Sequence, residues 1–139
     1  MSYRITYVVD IFRNGVVDAA SEDFIQGALF LLLQRNIEYL QTHPETPRLY
    51  DTDLVYREEP AGQEEWRDIP TMLEEGRRGY NDCEDLACWR AAEVNVLFGI
   101  PAVPYFTHRV LPDGKVVYHI RVKYPNGHIE DPSRIKGMR

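Results

Sequence analysis

The sequence predicts an α+β domain, and three observations carry that reading. Apolar residues recur at helical spacing through Phe24, Ala28, Leu31, Leu32 and Ile37. A second helical stripe, Leu86, Trp89, Ala92 or Glu93, Val96 and Leu97, follows Asp82 and is stopped by Gly99 and Pro101. After Pro104 the apolar period falls from 3.6 to 2, and two turn signals, Pro112-Asp113-Gly114 and Pro125-Asn126-Gly127, divide that run into three strands. Helices that precede a run of adjacent strands give segregated elements rather than a wound βαβ sheet. A chain of 139 residues has room for one modest core, so residues 1–139 are expected to form a single domain.

The elements follow in order. Tyr3, Ile5, Tyr7, Val9 and Ile11 alternate with more polar neighbours and predict a strand over 3–11. Ser21 is the expected cap of the long helix, with Glu22 and Asp23 at its positive end and Pro44 beyond its last turn near Leu40. A connector over 42–52, a short strand over 54–58 and a polar loop over 60–65 come next, with Glu58, Glu59, Glu64 and Glu65 expected in solvent. Asp68 caps a short helix through Leu73 that Gly76 ends. Asp82 caps the following helix. The meander strands are expected over 105–111, 115–124 and 128–133.

Composition excludes several classes. Hydrophobic residues at 44% and charged residues at 27% fit a globular chain rather than a disordered one. A net charge of −6, with basic clusters only at Arg77–Arg78 and at the tail Arg134, Lys136 and Arg139, argues against a face that neutralises phosphates, so no nucleic-acid partner is expected. The longest apolar run, ALFLLL over 28–33, is too short to span a bilayer, and no secretory signal opens the chain. Cys83 and Cys88 lie five apart on one helix, a rotation of about 140° that keeps them from bridging. Two free thiols point to a reducing, cytoplasmic compartment. His43, His108 and His128 show no ligand spacing and no phosphate loop is present, so neither a metal nor a cofactor is expected.

The turn type sets the register of the meander, and the register sets its chemistry. A three-residue loop over 125–127 pairs Tyr124 with His128 and therefore Arg121 with Asp131. Asp131 then shares a face with His119, one diagonal step away and within joint reach of the two side chains. A two-residue turn would send Asp131 to the other face. His119 and Asp131 thus read as a base and its orienting acid, although a solvated histidine on a polar face is the ordinary fate of such a residue.

Cys83 falls where a helix begins. The dipole and free amides there lower a thiol's pKa, while Asp82, Glu84 and Asp85 raise it. An adjacent imidazolium is expected to outweigh acids that point into water. Cys83 is therefore either a nucleophile or a buried filler, and Cys88, in mid-helix among apolar neighbours, reads as filler.

The motifs NDCEDLACWRAAE, FGIPAVP, YHIRVKYPNG and HIEDPS, within residues 76–133, resemble the transglutaminase-like branch of the papain-like thiol enzymes. The resemblance implies a papain-like core in which a Cys-bearing helix packs on a short antiparallel sheet, with an additional N-terminal helix. It implies a Cys83, His119 and Asp131 triad, no cofactor, and acyl transfer on protein or peptide amides, by hydrolysis ahead of crosslinking. Tyr80 and Trp66 become candidate oxyanion donors beside the Cys83 amide, with packing the competing role for each. Asn81 stands where the family has glycine. Arg121, opposite Asp131, is expected to compete with His119 for the carboxylate. Similar stand-alone chains are often encoded by tailed phages. The alternative to an enzyme is an inactive scaffold or virion assembly component that keeps the fold for binding.

Overall fold

The computed structural model describes residues 19–60 and 63–139, so the strand expected over 3–11 lies outside the described residues. Among these the chain is mixed α+β, with four α-helices and one three-stranded antiparallel sheet. Helix α1 runs Ala19–Thr42, α2 Ile69–Glu75, α3 Cys83–Phe98 and α4 Pro132–Ile135. Strands β1 Val103–Val110, β2 Val116–Lys123 and β3 Ile129–Glu130 lie in the order β1-β2-β3. No helix among the described residues is long and apolar enough to cross a membrane.

Helix α3 is the centre of the core. The sequence suggests one apolar stripe, but nearly every residue from Cys83 to Val94 is buried, because α1 covers one side and the sheet the other. Leu86, Ala87, Cys88, Trp89, Ala91 and Ala92 all have zero exposure, and the alanines let both neighbours approach. Cys88 does act as filler, with its thiol facing the Leu29 carbonyl at 3.7 Å. Gly99 ends α3 in the left-handed region at φ 65°, as its position predicts. Helix α1 begins before Ser21, so Ser21 is not its cap. Asn36 of α1, fully buried, accepts from the Ile69 amide at 3.0 Å and ties the start of α2 to α1. Asp68 caps α2 as expected, accepting from the Thr71 amide at 3.1 Å.

The meander folds in the predicted register. Tyr124 N–H donates to the His128 carbonyl at 2.9 Å across a three-residue loop, and Val122 pairs with Glu130. Gly114 and Gly127 supply the positive φ that both turns require. Two strands differ from expectation. The strand over 128–133 shrinks to two residues, because Pro132 has no amide to continue the ladder and instead opens α4 with Asp131 as its cap. The strand over 54–58 reduces to a single bridge between Tyr56 and Asn81.

Ile120 and Val122 face α3 with no exposure, and Phe106, paired with Ile120, stacks near Tyr118 on the same side. Helix α1 joins that side: Gln26 donates to the Pro104 carbonyl at 2.8 Å and Glu22 lies 3.2 Å from His108.

Candidate active site

The site forms where β3 leaves β2. In an antiparallel ladder, alternate pairs exchange hydrogen bonds. Leu111 N–H bonds to the Lys115 carbonyl, so counting along the register makes Thr107–His119 a bonded pair and Phe106–Ile120 an unbonded one. The Ile120 amide therefore points away from β1, toward the edge where β3 has already ended at Glu130. Cys83, first residue of α3, lies at that edge, where the Ile120 backbone acts on its thiol to lower the pKa.

His119 and Asp131 meet at the same edge. His119 Nε2 lies 2.9 Å from Asp131 Oδ2, the pairing that the predicted register requires. Asp131 thereby favours the imidazole tautomer with its proton on Nε2, leaving Nδ1 with the lone pair. The other carboxylate oxygen accepts from the Arg134 amide at 3.3 Å and caps α4, so Asp131 is held from both sides. The neighbour that approaches Asp131 as an ion pair is Arg134, at 3.6 Å, and no salt bridge joins Arg121 to it. Arg121 stays on β2 opposite Tyr105, and its expected competition with His119 is not seen.

A clamp fixes the strand that leads into Asp131. Glu130 accepts from Arg90 at 2.7 Å, from Tyr124 at 2.7 Å and from the Tyr50 hydroxyl. Burial opposes its ionisation, but these donors, Arg90 first, hold it below the usual carboxylate range. Arg90 and Glu130 thus bind β3 to α3, the helix that begins with Cys83.

The electrostatics around Cys83 differ from the sequence reading. Asp82, Glu84 and Asp85 do not point into water: their exposures are 6%, 0% and 0%. Burial, then the Asp82 charge, pushes the Cys83 thiol up to about 12, against the lowering effect of the Ile120 backbone bond. The resting sulfur is therefore a thiol, 7% exposed, and it donates to Glu84 Oε2 at 3.4 Å. No hydrogen bond joins it to His119 among the described residues. Arg67 anchors the acids, taking Glu59 at 3.0 Å, Glu75 at 2.8 Å and Asp85 at 3.7 Å. Glu59 is accordingly 4% exposed rather than solvated.

A cleft beside Cys83 is lined by Asp82, Glu84, Glu59, Glu64, Tyr56 and Tyr118, among others. The Tyr118 hydroxyl donates to Glu64 at 2.7 Å. Neither oxyanion candidate lines this cleft. Trp66 uses its indole N–H on Glu64 Oε1 at 3.0 Å, and the Tyr80 ring lies under Arg57 at 4.5 Å. Asn81 is fully buried and bridged to Tyr56. The sequence signal for the acid network was Arg67, a lone cation within a strongly acidic stretch.

The buried acids set a pH dependence of stability. Burial raises Asp82 from 3.8 to about 6, and raises Glu84 and Asp85 well above their usual range. The unfolded chain releases these protons at lower pH, so their contribution is full below the ordinary carboxylate pKa and is lost as pH rises through the folded values. Glu130 acts oppositely, but its contribution is lost only at pH below the ordinary range. In metal-free buffer, Tm at about pH 5 is expected to exceed Tm at about pH 8, and Glu84→Gln to flatten the difference. A Tm that falls steadily between those two values on acidification contradicts this assignment.

No family model, no curated protein and no solved structure matches the chain.

Proposed function

We propose that the protein is a thiol acyl-transfer enzyme of papain-like, transglutaminase-type architecture, acting on protein or peptide amides through Cys83, His119 and Asp131. The observation that carries this reading is at the edge of β2: His119 is paired with Asp131 at 2.9 Å, and Cys83, at the start of α3, stands near the next residue of the strand, Ile120, whose backbone lowers its thiol pKa. Because the resting sulfur is a thiol, its proton leaves to His119 Nδ1 as the sulfur attacks the carbonyl carbon. The tetrahedral intermediate collapses as the imidazolium protonates the departing amine, leaving a thioester on Cys83. Water activated by His119 then releases the acid, and an amine in place of water gives transfer. Asp131 holds the imidazole and its developing charge throughout. The Cys83 amide, at the first turn of α3, serves as a backbone oxyanion donor.

A second reading, the inactive scaffold or virion binding component, is favoured by the burial of Cys83 and its raised thiol pKa. Alkylation separates the two. Under the enzymatic reading, iodoacetamide modifies Cys83 at least about tenfold faster than the fully enclosed Cys88, and His119→Ala slows Cys83. Equal, sluggish modification of both thiols that His119→Ala leaves unchanged supports the scaffold.

A further inference from the structure

We propose that Glu59, Asp82 and Glu84 bind one divalent cation of calcium-like, oxygen-seeking chemistry at the acidic wall of the cleft. One oxygen from each of the three carboxylates lies within 4.8 Å of the others. With calcium-to-oxygen distances of about 2.3–2.6 Å, oxygens on opposite sides of one ion stand about 4.6–5.2 Å apart, so this spread fits inside a single shell.

Two buried side chains are incomplete without such an ion. Glu84 is fully buried and its Oε1 has no hydrogen-bond partner; Asp82 is 6% exposed and its Oδ1 has none. Both residues line the cleft. A buried carboxylate oxygen left without a donor is costly, and a cation satisfies several at once. Glu59 is the third wall, held by the Glu65 amide at 3.0 Å and by Arg67 at 3.0 Å. The described lining contains five carboxylates, Glu58, Glu59, Glu64, Asp82 and Glu84, and no Lys, Arg or His. An all-oxygen set of this kind suits a hard cation rather than zinc or copper. The spacing rules for metal motifs miss it because the three residues come from a loop and a helix start that are separate in sequence.

The site shares the cleft with Cys83, but its test does not involve the thiol. Terbium is the probe, since Tyr56 and Tyr118 line the same cleft and sensitise its emission. The full chain is expected to bind one terbium ion saturably, calcium to displace it at about 1 mM or below, and calcium to raise Tm. Glu84→Gln and Glu59→Gln, each checked for folding by circular dichroism, are expected to weaken binding at least tenfold. Cys83→Ala is expected to bind as the wild type does, so an inactive thiol and an absent cation site give different results. No saturable binding to the wild type, or full binding by a folded Glu59→Gln, overturns the proposal. Stabilisation by acid alone, with none by calcium, overturns it in favour of a proton shared by Asp82 and Glu84. Displacement by a simple alkylamine as readily as by calcium overturns it in favour of an ammonium-binding wall.

Discussion

Asp131→Asn is expected to lower the rate of Cys83 acylation by about 10³–10⁴-fold while leaving Tm close to that of the wild type. The two carboxylate oxygens of Asp131 have separate duties. Oδ1 accepts from the Arg134 amide and caps α4, and Oδ2 holds His119 Nε2. Asparagine is a good cap, so the first duty survives. Its amide nitrogen, placed against the imidazole, favours the tautomer with the proton on Nδ1, which then cannot accept the proton of Cys83. His119→Ala removes the base itself and is expected to cost a similar factor. Asp131→Ala loses both duties, adding a stability loss of about 1 kcal/mol. Initial acylation rates with an activated ester, read beside thermal melts, separate the three variants. An Asp131→Asn protein within about tenfold of wild type shows that the carboxylate only caps α4.

Arg67→Met is expected to destabilise the fold by about 3–5 kcal/mol. The guanidinium is 7% exposed and reaches Glu59, Glu75, Asp85 and, at 3.5 Å, Glu65. Glu65 and Glu75 are 59% and 37% exposed and contribute little. The cost comes from Asp85, fully buried, and Glu59, which lose the cation and hydrogen-bond donors that offset their burial. Asp85 also receives the Arg67 amide at 2.6 Å and the Asp82 amide at 3.4 Å, so the start of α3 loosens with it. Urea denaturation at neutral pH measures the effect. A loss below about 1 kcal/mol places the network with surface ion pairs.

The residues that were legible from sequence are those fixed by local rules. Asp68, Asp82 and Gly99 bound their helices through capping chemistry that reads over a few residues. The pairing of His119 with Asp131 follows from the loop over 125–127, because a strand's period of 2 carries the turn type into the register. Burial of charge was not legible. Glu84 and Asp85 look like the solvated first turn of an exposed helix, and only contacts with distant segments, the Arg67 segment against Asp85 among them, enclose them. The same packing reverses the expected pKa of Cys83. The roles of Tyr118, Arg67 and Glu59 depend on contacts between distant segments, which neither period nor spacing records. β3 ended early because Pro132, read as part of a strand, better suits the first position of a helix.

The most direct measurement of the central claim is the position of the acyl group. The protein is incubated with a p-nitrophenyl ester, quenched in acid, and mapped by peptide mass. A thioester on Cys83, absent from Cys83→Ala and strongly reduced in His119→Ala, is the predicted result. Acyl groups only on surface lysines, or a Cys83 adduct that forms equally fast without His119, would contradict the account.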